Sequence, residues 1–220
     1  MAGLSRNAIV AAAFELLDEG GLAAITARAV AARLGVKPGA LYYHVSDMGA
    51  LRDEMATVIM RELTIRDFDS LHMIGEPHSI VDHAAWRTVL ARMATHVRSV
   101  LLRYRDGAKL FSGTMLTDDE TIGSMEIPLV ALSRGGFELV DALRAIQTLY
   151  NFVIGYVIEE QHRSMNPDPY DPDNRRRHID VERFPLTAAV NLAFSVMDDE
   201  GFSWGVETVI EGIASRVRGS

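Results

Sequence analysis

The sequence contains no cysteine, little proline and no long apolar run. Without cysteine there can be no disulfide and no metal–thiolate site, a composition typical of proteins from a reducing compartment. Apolar stretches such as Val153–Ile158 are far shorter than the ~20 residues of a membrane-spanning helix. Ala8–Phe14 is apolar, but Glu15 and Asp18 follow it without a cleavage-type region, so no signal peptide is expected. We therefore expect a cytoplasmic globular protein.

Basic side chains are outnumbered by acidic ones, 22 to 30, and the net charge is unevenly distributed along the chain. The net charge is −8 over 220 residues, which argues against general coating of nucleic acid. Residues 1–50 hold four basic and four acidic side chains, which cancel, so the whole excess of −8 lies in residues 51–220. An acidic C-terminal part repels phosphate, whereas a neutral N-terminal part with exposed Arg and Lys can approach it.

The segment Thr26–Tyr43 has the pattern of a helix-turn-helix. Thr26 is expected to cap the first helix, and Gly35 can adopt the left-handed conformation that ends it. Pro38 suits the first turn of the second helix, where its missing N–H has no partner to lose. In such motifs the second helix enters the major groove of DNA.

This N-terminal pattern resembles the DNA-binding domain of the tetracycline-repressor (TetR) family of bacterial regulators. The resemblance is carried by a leading helix Ala8–Leu17, then Gly20-Gly21, Leu34-Gly35-Val36 and Leu41-Tyr42-Tyr43-His44-Val45, before a long helix. A pair of purely structural helices could produce any one of these pieces. The resemblance implies a bacterial one-component regulator, with residues 1–47 as a helix-turn-helix domain and residues 48–220 as a ligand-binding and dimerisation domain.

Helical periodicity dominates the remainder, and no window alternates as a half-buried strand does. The expected fold is therefore all-α, with a small three-helix domain followed by a larger helical one. The pattern predicts six helices and two loops. The helices are Ser46–Arg66, Val81–Tyr104, one from Asp118 or Asp119 to Ser133 (bent or ended early by Pro128), Glu138–His162, Leu186–Met197 and Trp204–Val217, and the loops are 67–79 and 166–182. Ser46 is the expected N-cap of the first of these helices.

Two later segments extend the resemblance to the ligand domain of the tetracycline repressors themselves. They are Leu101-Leu102 with Arg105-Asp106-Gly107-Ala108-Lys109 and Gly113-Thr114, and Gly135-Gly136-Phe137 followed by Gly155-x-Val157-x-Glu159-x-Gln161. The resemblance also implies a homodimer, in which Glu138–His162 and Trp204–Val217 of each subunit form a four-helix bundle.

Residues on or beside the second helix of the motif are the candidate DNA contacts. In a dimer the two copies of this helix would read half-sites roughly 34–36 Å apart in a palindromic operator. Tyr42 and His44 suit phosphate better than base edges, and Ala40 could meet a thymine methyl. The alternative for Tyr42 and Tyr43 is packing within the domain. The candidates are Thr26, Arg28, Lys37, Pro38, Gly39, Ala40, Tyr42, Tyr43 and His44.

The candidate ligand pocket differs from the one that the resemblance implies. Tetracycline repressors hold a drug–magnesium chelate through an imidazole at the position of Phe111, and phenylalanine cannot ligate a hard cation. Other polar positions of the drug site also differ. The relatives have His, Asn, Arg and Gln at the positions of Thr64, Met93, Met115 and Pro128, whereas Thr114 and Glu159 are the same as in the relatives. Further candidates are Val97, Leu132, Leu143, Ile146, Gln147, Tyr150 and Asn151. The alternative is that these residues simply form part of the hydrophobic core. If they line a pocket, they suit a hydrophobic or aromatic ligand, and no cofactor or metal is expected.

The sequence therefore favours a DNA-binding repressor released by a small hydrophobic molecule other than tetracycline–magnesium. The alternative is a constitutive DNA-binding dimer without an inducer. An enzyme is disfavoured because no phosphate loop or nucleophile motif is present. Glu159-x-x-His162 has a di-metal spacing, but such a site needs a second copy and further carboxylates. Arg175-Arg176-Arg177 lies among acidic residues and is interpreted as a solvated loop.

Overall fold

The computed structural model describes residues 4–72, 85–114 and 119–217. Within these ranges no residue lies in a β-strand, which confirms the predicted all-α fold. The helices are α1 (Arg6–Gly20), α2 (Ala27–Arg33), α3 (Pro38–Leu41), α4 (Met48–His72), α5 (Ala85–Leu101), α6 (Gly107–Phe111), α7 (Asp119–Gly123), α8 (Glu126–Arg134), α9 (Leu139–Met165), α10 (Pro172–Arg176), α11 (Pro185–Ala189), α12 (Asn191–Ser195) and α13 (Asp199–Val217). Short 3₁₀ turns cover Leu22–Ala24 and Asp168–Tyr170.

The first three helices form a small unit, which we call the head (residues 4–47). The Thr26 hydroxyl accepts a hydrogen bond from the Ala29 N–H at 3.1 Å and caps α2, as predicted. Gly35 has φ 67°, the left-handed conformation expected at the turn, and Pro38 opens α3. The buried side chains of Val30 and Leu41 join α2 to α3.

The described residues from 48 onward, which we call the body, pack around α9. Helix α9 lies against α5, α6, α8 and α13, while α4 joins the head to this group by packing on α1, α5 and α6. The apolar residues Leu51, Met55 and Ile59 recur on one face of α4 and are fully buried. In the described part of the chain, no helix is both long and apolar enough to span a bilayer.

The start of α4 corrects one sequence-based assignment. The cap is Asp47 rather than Ser46, because the Asp47 carboxylate accepts the Ala50 N–H at 2.8 Å. Hydrogen bonds from the backbone of Ala50, and secondarily of Gly49, lower the pKa of Asp47. Helix α4 also continues to His72, through part of the segment predicted as a loop, and residues 73–79 lie outside the described ranges.

Other predicted boundaries are also wrong. Helix α5 ends at Leu101, three residues before Tyr104, and its predicted start at Val81 lies outside the described residues. The predicted helix at 119–133 is two helices, and the break at 124–125 precedes Pro128, which is tolerated in the first turn of α8.

The segment 166–197 is more structured than its proline and aspartate content suggested. It contains a 3₁₀ turn and α10, where loop was predicted, and α11 and α12, where one continuous helix was predicted. The Arg163 guanidinium lies over the Tyr170 ring at 4.7 Å and the Phe194 ring at 4.9 Å. Arg175 lies 3.8 Å from the centre of the Phe194 ring, and its Nε donates to Asn191 at 3.1 Å. These contacts attach the segment to the end of α9.

Candidate DNA-binding surface and effector site

The candidate DNA contacts form an exposed surface at the end of the head. Thr26, Arg28, Lys37, Pro38 and Gly39 are exposed, and Ala40 and His44 are half-buried. The Tyr43 side chain is 89% exposed and that of Tyr42 is 50% exposed. Packing within the domain therefore does not explain Tyr43, and it explains Tyr42 only in part.

The ion pairs of the head leave two cations for this surface. Arg33 donates to Glu15 at 2.8 Å and to Glu19 at 2.5 Å, and hydrogen bonds to Glu19 and Glu15 raise its pKa. Arg6 pairs with Glu54 at 2.9 Å. Among the described residues, no acidic partner is found for Arg28 or Lys37. The two remaining basic side chains of the head are thus the two that the sequence selected as DNA contacts.

The candidate ligand residues separate into an inward group and an outward group. Val97, Leu132, Ile146 and Pro128 are buried, and Met93, Phe111, Thr114 and Tyr150 are half-buried. Leu143, Gln147, Asn151 and Glu159 are exposed on α9 and do not join the inward group in this chain. The Thr64 side chain and Met115 lie outside what the structure describes.

Two aromatic rings mark the centre of the inward group. The centroids of the Phe111 and Tyr150 rings are 6.1 Å apart, with an interplanar angle of 40°. The Tyr150 hydroxyl donates to the Met60 sulfur at 3.5 Å, a contact that sequence reasoning missed because Met60 is 90 residues away. Burial raises the pKa of Tyr150, so this phenol stays protonated at physiological pH. Thr114 is less available to a ligand, because its hydroxyl donates to the Phe111 carbonyl at 2.7 Å.

Glu159 and His162 do not form a metal centre with other described residues. Glu159 is exposed and lies 3.7 Å from Arg163, and His162 lies edge-on against the Tyr170 ring. Within the described ranges, no three His, Asp or Glu side chains come together as metal ligands.

A turn at residues 102–106, which we call the linking turn, connects the body to the head. The Asp106 carboxylate accepts the Leu22 N–H at 3.0 Å, and the Arg105 guanidinium donates to the Glu19 carbonyl at 2.9 Å at the end of α1. Asp106 has φ 52° and is the one non-glycine residue with positive φ among those described. Sequence offered no sign of this contact, because Leu22 and Asp106 are 84 residues apart.

The absence of a side chain at Gly21 and the electrostatic surroundings of Asp106 both stabilise the contact between Asp106 and the head. Gly21 has φ 70°, and a Cβ there would lie 2.4 Å from an Asp106 carboxylate oxygen, so only glycine lets the two approach. Burial acts to raise the pKa of Asp106, but the Leu22 N–H and Lys109, 3.2 Å away, outweigh it and lower the pKa. Asp106 is therefore ionised at neutral pH.

The linking turn is also attached to α9 and α4. The Gln161 side-chain amide donates to the carbonyls of Leu101 at 3.1 Å and Tyr104 at 2.7 Å, and its oxygen accepts the Ala108 N–H at 3.3 Å. Tyr104 bonds the Glu62 carboxylate on α4, and its ring lies 5.3 Å from Phe14 on α1. Burial and the Glu62 contact raise the pKa of Tyr104 to about 12.

Comparisons with known proteins match both parts of the chain. The family model for bacterial regulatory proteins of the tetR family matches residues 9–55, and that for the tetracyclin repressor-like C-terminal domain matches residues 81–217. The class D tetracycline repressor protein of Escherichia coli is 33% identical over 222 aligned residues, covering 100% of this chain and 90% of the repressor.

Solved structures agree in fold over nearly the whole chain. A possible TetR family transcriptional regulator from Streptomyces coelicolor A3(2) superposes with a TM-score of 0.80 at 28% identity, covering 96% of this chain and 99% of its own. A single-substitution variant of TetR from Acinetobacter baumannii AYE, solved in complex with minocycline, gives a TM-score of 0.70 at 28% identity and covers 99% of this chain and 100% of its own.

Proposed function

The chain belongs to the tetR family of bacterial regulatory proteins, and on that premise we propose that it is a transcriptional repressor released from DNA by a small molecule. Two chains bind a palindromic operator in the cytoplasm through residues 1–47, and residues 48–220 bind the effector and dimerise. The observation that carries the proposal is the placement of α6, which has the candidate effector site at one end and a contact with the head at the other.

The exposed surface of the head supports operator binding. Lys37 and Arg28 have no acidic partner among the described residues and can reach phosphate or a guanine edge. Tyr42 and Tyr43 project from the end of α3, and the half-buried Ala40 leaves room for close approach to a base. The acidic body restricts DNA contact to this surface.

Exposed apolar side chains on α9 and α13 support the homodimer. Leu139 and Val140 on α9 are 65% and 60% exposed, and Trp204 on α13 is 71% exposed. The two helices pack closely, since a Cβ at Gly205 would lie 2.2 Å from the Phe152 ring. A face with such large exposed side chains is expected to be covered by a second copy of the same two helices. In that dimer Gln147 and Asn151 would face the partner.

The effector is proposed to be apolar or aromatic. A relative of similar fold binds minocycline, which supports a small-molecule site in the body. The site differs here because Phe111 cannot ligate a magnesium ion, so a drug–magnesium chelate is not expected to bind. Buried Val97, Leu132 and Ile146 instead provide an apolar wall.

Helix α6 couples the two sites in this proposal. It spans only five residues, so a ligand that displaces Phe111 also displaces Asp106 at the other end. Arg105 bonds the end of α1, Asp106 bonds the 3₁₀ turn that follows it, and Tyr104 bonds Glu62 on α4. Movement of α6 therefore changes the orientation of the head, and with it the distance between the two copies of α3 in a dimer.

The energetic requirement is that the effector binds the released form better than the DNA-bound form. Shifting the population from 1:99 to 99:1 needs a differential affinity of about 5.5 kcal/mol. A ligand with equal affinity for both forms would leave operator binding unchanged.

Operator binding tests the proposal directly. Footprinting on the DNA upstream of the protein's own gene should show a protected palindrome, and replacing Lys37 and Tyr42 together by Ala should weaken binding by roughly 30- to 100-fold. The double variant should still be a folded dimer by circular dichroism and gel filtration. Loss of folding would instead assign the pair a structural role.

Effector release is tested by repeating the operator titration with a library of small apolar and aromatic compounds. The proposal predicts that at least one of them weakens operator binding in a concentration-dependent way. A compound that binds the body but leaves the operator affinity unchanged would identify a constitutive DNA-binding dimer instead.

A further inference from the structure

The Tyr150 hydroxyl group occupies an unusual position inside the body. The residue is half-buried, and its O–H donates to the sulfur of Met60 at 3.5 Å. Its ring lies beside that of Phe111, with centroids 6.1 Å apart. Neither contact offers a strong hydrogen-bond acceptor, because a thioether sulfur is a weak one and a phenyl ring has no lone pair.

Two other tyrosine hydroxyl groups of the body are better satisfied. Tyr104 bonds the Glu62 carboxylate, and Tyr156 donates to the Asp198 carbonyl at 2.8 Å. A poorly satisfied O–H inside a protein is unfavourable, so phenylalanine would suit the ligand-free fold at least as well as tyrosine. The hydroxyl at position 150 is thus better explained by an acceptor that arrives from outside.

We infer that Tyr150 selects the effector by donating its O–H to a carbonyl-type oxygen on an uncharged aromatic molecule. The inference rests on the proposed function and specifies the ligand class of the same site. The acceptor oxygen replaces the sulfur of Met60 as the partner of Tyr150, and the aromatic part of the ligand packs on Phe111.

Charge and position support each part of this assignment. Met60 and Phe111, which contact the hydroxyl and the ring of Tyr150, are uncharged, so neither provides a counter-charge for an ionised ligand. Burial keeps the phenol protonated by raising its pKa, so it acts as a donor. Phe111 is the last residue of α6, so a ligand that packs on its ring presses on the element that contacts the head.

The test uses rigid probe pairs that differ by carbonyl oxygens. Fluorenone with fluorene and anthraquinone with anthracene are measured by equilibrium dialysis against the full-length wild type and Tyr150→Phe. We expect the preference for the carbonyl member, taken as the ratio of dissociation constants, to be lower in Tyr150→Phe by about 5- to 10-fold, the contribution of one hydrogen bond. Tyr156→Phe, which removes a hydroxyl from the side of the same helix that packs against α13, should leave that ratio as in the wild type.

A second measurement separates selection from a structural role. The melting temperature of ligand-free Tyr150→Phe should equal or exceed that of the wild type. An unchanged probe ratio in Tyr150→Phe overturns the inference, and so does a failure of the wild type to bind either carbonyl probe. If an unrelated compound still releases the operator in that case, the proposed function stands and only the ligand class is wrong.

Discussion

In the head, the candidate DNA contacts lie mainly at the surface and support little of the fold, whereas in the body several candidate effector residues belong to the hydrophobic core or pack against it. Tyr43 is 89% exposed, while Leu132 is fully buried and Ile146 is 1% exposed. Function and stability are therefore separable in the head, because an exposed DNA-contacting side chain can be removed with little loss of stability. In the body they are combined, because the residues that would shape a ligand site also exclude water.

The largest expected effect on stability comes from truncating the core of the body. Leu132→Ala removes a fully buried side chain from α8 and should lower the free energy of unfolding by about 2–5 kcal/mol. Tyr43→Ala in the head should change it by no more than about 0.5 kcal/mol. Urea denaturation at a fixed protein concentration measures both, since dimerisation makes stability depend on concentration. Similar losses in the two variants would remove the contrast between head and body.

An intermediate effect is expected where the two regions meet. Gly21→Ala introduces a side chain at φ 70° and ψ −170°, a conformation essentially restricted to glycine and unfavourable by about 1–3 kcal/mol, and places the new Cβ against the Asp106 carboxylate. Gly35→Ala is the comparison variant, because its φ of 67° is also positive but no atom lies within 4 Å of the added Cβ. Urea denaturation should therefore show the larger loss of stability in Gly21→Ala. Equal losses of stability would mean that the linking turn moves away from the new side chain without an energetic cost.

The smallest effect is expected at the start of α4. Asp47→Ala removes the cap on the Ala50 N–H and should lower the melting temperature slightly, whereas Ser46→Ala, which removes only a 3.4 Å hydrogen bond to the Asp47 carboxylate, should lower it less. The folded-state pKa of Asp47 is depressed, so its contribution is fully present above the unfolded value of about 3.9 and is lost as pH falls through the lower folded value. The difference between Asp47→Ala and wild type should thus be constant at neutral pH and shrink in strong acid. A difference that grows with acidification would contradict the assignment.

The sequence predicted best what is determined by near neighbours. Thr26, Gly35 and Pro38 act within three or four residues of their own positions, and the helix-turn-helix has the predicted form. The end of α5 was predicted incorrectly because Gln161, some 60 residues away, binds the carbonyls of Leu101 and Tyr104. Periodicity cannot reveal such a partner.

The candidate effector site was predictable in composition but not in arrangement. Apolar spacing identified Val97, Leu132 and Ile146, which are buried together in one core. The same spacing could not show that Gln147 and Asn151 lie on the exposed face of α9, nor that Met60 approaches Tyr150. Which residues face inward depends on how α9 is rotated against its neighbours, and contacts distant in sequence fix that rotation.

The brevity of α6 has a consequence for how such a regulator can diversify. A helix of five residues has almost no stability of its own, so its position depends on what its two ends contact. Substitution at the Phe111 end can adapt the chain to a new chemical signal without altering Asp106, Gly21 or the operator-reading surface. Ligand recognition and operator binding can then evolve independently, and the only feature that both depend on is the length of this short helix.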